Sequence, residues 1–386
     1  MSNKKIAIFC PATLFDNFIE YIPFISEKAN SDLFIILSKG SLGATSINLY
    51  NNNFDIGIYP IEEFKEYIKN YEVISSYFNK IKNIYIVVSP KKISFEFIIF
   101  QYKFLIKIYQ NKYNILLFDD IPKAIYFPAL ILSRKVKSFL TVHDPLPHTG
   151  ESSYYFYLIS YIRKKFDGLI FFSDYSESQY LGLYPKPKRL LTVKLAVYRI
   201  YKKLANKNSH KWNLKKDKPT ILFFGRISKY KGIQKFLNSC DILTKRGMDF
   251  SIIIAGSGDA DFIIPSSLGN NLKIINEYID ATDIGSLFNV ADALICPYSD
   301  STQSGVLMTA AAFGCPVIAS NTGSFKEYIE SGYVDGSCYD SNSENSLAES
   351  IQSVIKGVTF SKSLATANNN ESTLHLASKL FDFIVK

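Results

Sequence analysis

Residues Ile221–Gln234 read ILFFGRISKYKGIQ, and this stretch sets the frame for the whole chain. Four apolar residues make a short buried strand. Gly225-Arg226 opens a tight loop that ends at Lys231-Gly232, and Ile233, Phe236, Leu237 and Cys240 then recur at helical spacing. A strand that runs through a glycine-bounded loop into a helix is a cradle for a diphosphate. The helix start offers free N–H groups, and Arg226 and Lys231 bring two cations to the same place. Taken alone, the stretch reads equally well as an ordinary strand-to-helix connection with two solvated cations.

Outward from that stretch the same alternation continues. Thr220–Phe224, Phe250–Ala255, Leu272–Ile275, Ala293–Pro297 and Pro316–Ala319 read as buried strands of the second half. Lys5–Cys10, Leu33–Leu37, Ile84–Val88, Ile115–Phe118, Phe139–Val142 and Gly168–Phe172 do so in the first. They are short, apolar almost throughout and bounded by turn residues. Amphipathic segments such as Glu62–Lys80 and Ser94–Tyr109 lie between them. Alternating β and α elements predict an α/β protein with two doubly wound, Rossmann-like parallel sheets.

A chain of 386 residues exceeds what one core usually organises, so two domains are expected. The Lys- and Asn-rich stretch Tyr201–Lys218, with the lone Trp212, reads as their connection. The division is therefore 1–200, a connection at 201–218, and 219–370, with a final helix at 371–386 that is free to pack back on the first domain. Ser341–Asn370 mixes helix and loop.

Composition narrows the function. Five scattered cysteines and four histidines carry neither disulfide nor zinc spacing, which suits a reducing cytoplasm. No apolar run approaches the ~20 residues of a spanning helix. Lys4-Lys5 before IAIF mimics a leader, but it reads as a first strand, because the apolar run is short and breaks at Pro11. Residues 1–200 hold 25 Lys and Arg against 17 Asp and Glu, a surplus of 8, whereas the remainder holds 19 against 18. Such a basic half fits a phosphorylated substrate or an anionic membrane. Nucleic acid is the weakest of the three partners such a half can mean, since the lysines are spread out and no recognition motif is present, and none is expected.

Four stretches in fixed order carry a resemblance: Ile221–Gln234, IIIAGSGD at Ile252–Asp259, Ile279–Tyr298, and STQSGVLMTAAAFGCPVIASNTG at Ser301–Gly323. Together they resemble the C-terminal domain of the retaining glycosyltransferases of family 4, whose GT-B fold sets two such domains facing a cleft. TVHDPLPHTGE at Thr141–Glu151 is a weaker echo in the first half.

The resemblance implies a glycosyltransferase moving a sugar from a nucleoside diphosphate, UDP favoured over GDP, to a glycan or lipid-linked glycan of a bacterial surface polysaccharide such as lipopolysaccharide or capsule. It implies Arg226 and Lys231 at the donor diphosphate, and Ser304, Gly305, Val306 and Leu307 at the phosphate and sugar through their backbone. Gly225 and Gly256 lie in the donor turns. Glu277, Tyr278 and Ile279 lie at the nucleobase, and His143 beside the transferred sugar. Where the family has two glutamates, this chain has Ser301 and Thr309. The Thr302–Gly305 sequence resembles a variant subgroup, in which Gln303 or Thr302 takes over part of the sugar contacts, and Thr309 is counted among the donor-binding residues. Cys10-Pro11-Ala12-Thr13 replaces the glycine-rich loop usual after the first strand.

No Asp-x-Asp pair stands in a suitable place, so neither a metal nor a cofactor is expected. Asp119-Asp120 reads as a cleft lining or as a cap at a helix start. His143 reads as functional or as a turn histidine, and His148 and Glu151 as part of a shaped loop. Lys91–Lys112 combines lysines with six aromatics; it reads as a membrane-facing helix or as a core helix with a solvated edge. Two other readings stay open: an epimerase or hydrolase on the same fold, and a partner subunit without catalysis. The expected location is cytoplasmic, or peripheral at the inner face of the plasma membrane.

Overall fold

The computed structural model describes all residues except 1, 44, 52, 147–152, 207–210, 260, 302–303 and 359–368. The chain divides into two compact units, Met1–Ala196 with Thr373–Lys386, and Val197–Ser372.

Among the described residues the first unit carries eight strands: β1 (Ser2–Pro11), β2 (Ala29–Ser38), β3 (Gly57–Pro60), β4 (Asn83–Ser89), β5 (Ile115–Asp119), β6 (Lys137–Thr141), β7 (Gly168–Phe171) and β8 (Leu190–Thr192). Their order is β3-β4-β2-β1-β5-β6-β7-β8, parallel throughout except at β3. Central strands buried on both faces explain the unbroken apolar runs. Phe9 of β1 stacks between Phe34 and Phe118, at 5.1 and 4.4 Å between ring centroids, which ties three adjacent strands on one face.

The helix Phe95–Gln110 starts where the Ser94 hydroxyl accepts the Phe97 N–H. It buries Phe100, Phe104 and Ile108, one stripe at a spacing of four. Its opposite face, with Phe95, Ile98 and Tyr102, is exposed. The long helix expected at Glu62–Lys80 is instead a 3-10 turn (Ile61–Phe64) and a short helix (Tyr71–Ser75). Asn70 between them is left-handed at φ 57°, which breaks the helical run.

The second unit holds β9 (Thr220–Phe224), β10 (Ser251–Ala255), β11 (Leu272–Ile275), β12 (Ala293–Cys296), β13 (Val317–Ser320) and β14 (Gly336–Tyr339). The order β11-β10-β9-β12-β13-β14 is parallel throughout and reverses between β9 and β12. Ligands of such sheets gather where the order reverses, beyond the carboxyl ends of the strands. Residues 201–218 are not a bare connection. The helix Arg199–Leu204 packs on the helix Gly305–Phe313, and the Trp212 indole N–H donates to Glu277. The last helix, Asn369–Val385, belongs to the first unit from Thr373 onward; there Phe383 packs edge-on against Phe139 of β6.

Candidate functional site

The reversal in the second sheet brings three pieces of backbone together. Beyond β9, Gly225 adopts φ 124°, and a Cβ there would lie 3.3 Å from the Val306 side chain. The Gly225 N–H donates to Ala255 and the Ile227 N–H to Ser257, so the loop lies along the end of β10. Gly256, at φ 148°, is required on two counts, because a Cβ would also sit 1.8 Å from the Gly225 carbonyl oxygen. The loop Gly225–Gly232 and the start of the helix Gly305–Phe313 are thus neighbours, the one at β9 and the other just after β12.

The charges in this place are uncompensated. Arg226 is exposed, and among the described residues neither it nor Lys231 has a carboxylate partner. The Lys231 ammonium lies 3.6 Å from the centroid of the Tyr298 ring. Burial first, and then the charge of Arg226, push it down to about 8.

The polar groups around these cations are unsatisfied as well. Ser304 is the N-cap of its helix by position, yet its hydroxyl makes no capping bond. By geometry the buried hydroxyls of Ser304, Ser228 and Tyr298 make no hydrogen bond among the described residues, although the Tyr298 hydroxyl lies near the Ser304 hydroxyl and the Cys296 thiol. Orphaned buried hydroxyls are rare, and three around one loop call for a group to bind. Two cations, three hydroxyls and an uncapped helix N-terminus can together hold a dianionic phosphate group.

The remaining expected contacts divide. Gly305 has no room for a side chain, since a Cβ would lie 2.7 Å from the Tyr198 ring. Val306 is half-buried and Leu307 buried, and the Leu307 N–H donates to the Ser304 carbonyl 3.2 Å away, which leaves the N–H groups of Gly305 and Val306 to face a ligand. Thr309 is a correction: it is 2% exposed and its hydroxyl donates to the Gly305 carbonyl 2.9 Å away. It packs its helix and presents no group to a ligand. Glu277 is exposed at the end of β11 and binds Lys211 and Trp212, each at 2.9 Å. Tyr278 beside it is exposed and Ile279 buried. Thr302, Gln303, His148 and Glu151 lie outside the described residues.

His143 belongs to the first unit, just beyond β6. Its ring is 3% exposed, with Nε2 2.6 Å from Asp119 Oδ1 and Nδ1 3.3 Å from the Asn17 amide nitrogen. With Asn17 donating to Nδ1, the proton of the neutral ring sits on Nε2 and donates to Asp119. Burial pulls this histidine down, but the Asp119 charge and hydrogen bond outweigh it and hold the ring above its usual range.

The capping role open to Asp119-Asp120 is not what the two side chains do. Asp119 binds His143, while Asp120, at φ 66°, accepts the N–H of Ile121. Asp119 pairs in register with Thr141 across β5 and β6. His143 lies two residues beyond Thr141 and so on the same face, a parity that sequence alternation carries. Tyr198, Ser228 and Tyr298 had no such signal.

Among the described residues no three His, Cys, Asp or Glu side chains converge as metal ligands, and no helix is long and apolar enough to cross a membrane.

Comparison with known proteins follows the same division. Residues 205–371 match the family model described as Glycosyl transferases group 1. The chain is similar to a D-inositol 3-phosphate glycosyltransferase of Paenarthrobacter aurescens, 32% identical over 120 residues that make up 29% of either chain. The match therefore spans under a third of that relative. Over the whole length the chain superposes on a glycosyltransferase from Rickettsia africae with a TM-score of 0.65, 17% identity and 100% of both chains covered. An Anabaena HepE protein in complex with UDP and glucose gives 0.61 at 14% identity, with 99% of this chain and 95% of that one covered. The fold is GT-B.

Proposed function

We propose that this chain is a glycosyltransferase that takes a sugar from a nucleoside-diphosphate donor, with a uridine donor favoured, and passes it with retention to a lipid-linked glycan of a bacterial surface polysaccharide. The observation that carries the reading is the pair Arg226 and Lys231, without carboxylate partners, beside three orphaned hydroxyls and an uncapped helix start. Departure of the diphosphate builds negative charge, and these groups stand ready to receive it without reorganising. The match of residues 205–371 to the group 1 family supports glycosyl transfer as the reaction.

In this reading no metal takes part, because the two cations neutralise the leaving group. The departing phosphate itself accepts the acceptor's proton, so no protein base is needed. A ring nitrogen of His143 reaches the sugar only if Asn17 gives way at Nδ1, since both nitrogens are engaged in the first unit. Membrane contact belongs to the same reading. The helix Phe95–Gln110 and the residues before it expose Ile93, Phe95, Ile98, Ile99 and Tyr102 next to Lys91, Lys92 and Lys103, an apolar and basic face suited to an anionic bilayer.

The test is transfer from a panel of nucleotide sugars by Arg226→Ala and Lys231→Ala. Each is expected to lose roughly tenfold or more, equivalent to about 1.5–3 kcal/mol for a charge-assisted contact, with the fold intact by circular dichroism. Wild-type rates in either variant would refute the diphosphate assignment. Chelation with EDTA is expected to leave the rate unchanged; activity abolished by EDTA and restored by magnesium or manganese would refute the metal-free route.

A further inference from the structure

A second concentration of positive charge lies in the first unit, at the opposite end of its strands from His143. Three consecutive helix-to-strand turns feed the amino ends of β6, β7 and β8. They contribute Arg134, Lys135 and Lys137, then Lys164 and Lys165, then Lys188, around a hollow of about 740 Å³. The carboxyl end of β6, next to Asp119 and His143, is a five-residue strand away, about 16 Å.

The cations are almost unpaired. Asp167 is the acid in the lining, and among the described residues only Lys188 has a carboxylate within 4 Å, at 3.9 Å from Asp167. The other Asp167 oxygen accepts the backbone N–H of Ser138. Four of the other five cations rest on aromatic rings or a tyrosine hydroxyl: Lys165 over Tyr161, Lys135 over Tyr109, Lys137 over Phe139, and Arg134 against the Tyr161 hydroxyl. Burial, then Arg189 and Lys4, hold Lys137 below the usual lysine range.

Cations at helix ends are common for a plain reason, since they complement the helix dipole. The helices Tyr126–Leu132 and Ser153–Arg163 both end here. Each carboxyl terminus offers about half a negative charge, roughly one in all, and Asp167 adds another. Six cations leave a surplus of about four, far more than dipole complementation uses.

We propose that this hollow binds a phosphate-bearing polyanion, at a site separate from the donor loop. Its volume lies within the ~300–1,000 Å³ typical of small-molecule sites, which fits a diphosphate or phosphorylated headgroup with its attached group rather than a lone ion. The ligand is either a soluble phosphate compound or the headgroup of an anionic lipid. Both present the same chemistry to the lysines, and the inference does not depend on the transferase reading.

The experiment is calorimetric titration of the full chain with inorganic pyrophosphate at low salt. Arg226→Ala with Lys231→Ala removes the donor loop's share and is expected to keep one binding event. Adding Lys135→Gln, Lys164→Gln and Lys165→Gln is expected to weaken that event at least tenfold, while the corresponding Arg replacements retain it. UDP binding by the chain that carries only the three Gln replacements is expected to equal wild type, which separates this site from the donor site. Pyrophosphate affinity unchanged by the three Gln replacements, or no binding once the donor loop is neutralised, would overturn the proposal. Phosphatidylglycerol vesicles that displace pyrophosphate would name a lipid headgroup; vesicles without effect would name a soluble phosphate.

Discussion

Lys231 holds its charge in a place that resists it, and this makes the site sensitive to pH. Its folded value of about 8 lies below the ordinary lysine value of 10.5. Below pH 8 the buried charge is present in the folded chain and disfavours folding; the penalty fades as pH rises from about 8 to 10.5. A bound diphosphate reverses the preference, because it needs the charged form. Affinity for UDP should therefore fall about tenfold between pH 7 and pH 9, measured by calorimetry, and Lys231→Arg should flatten that profile. Asp119 gives a second residue-scale test. Removing it leaves the His143 ring buried without its counter-charge, so Asp119→Ala should cost about 3 kcal/mol in denaturant unfolding. A raised histidine stabilises the fold below its unfolded value of about 6.5 and loses that contribution as pH climbs through its folded value. The gap between variant and wild type should therefore be wider at pH 5.5 than at pH 8.

At the scale of elements, the tight join between the loop and β12 is the feature most open to test. Gly232 adopts φ 70°, and a Cβ there would lie 1.9 Å from the Pro297 carbonyl oxygen. Gly247 adopts nearly the same conformation, φ 79°, with nothing within 4 Å of the corresponding position. Gly247→Ala should cost only the left-handed strain of about 1 kcal/mol. Gly232→Ala should cost at least about 2 kcal/mol and weaken UDP binding too; equal melting temperatures for the two variants would contradict the steric account. The same scale explains what was readable beforehand. Eleven strands were legible as apolar runs: ten are largely buried, and β11, outermost and mostly exposed, was legible because Leu272, Ile274 and Ile275 are apolar all the same. β3, β8 and β14 were not, because each is an outermost strand with most positions half-exposed. In the site, glycines and cations announced themselves by spacing. Tyr198 and Tyr298 did not, since their positions come from packing between distant segments.

At the scale of the whole molecule the charge asymmetry has a location. The basic half carries both the lysine-rimmed hollow and the exposed apolar helix face. Replacing Lys91, Lys92 and Lys103 with Gln should weaken binding to phosphatidylglycerol vesicles by up to about a hundredfold at low salt, at roughly 1 kcal/mol per lysine. The loss should shrink in high salt, where the Debye length shortens. Lys107 contributes less, since its ammonium sits over the Tyr85 ring 4.8 Å from the centroid. Vesicle sedimentation unchanged by the three substitutions would return this helix to a packing role.

The final helix has a consequence for how the chain is made. Phe383 packs on Phe139 and Arg189 lies over the Phe383 ring, so the first unit is built from segments that precede and follow the second in the sequence. The second unit lies wholly between those parts. As the chain leaves the ribosome, residues 197–372 can complete their own core while the first unit still waits for its closing helix. The order of emergence and the order of completion are then opposite: the unit that emerges first is completed after the second, and β6 lacks its aromatic cover until the closing helix itself has been made.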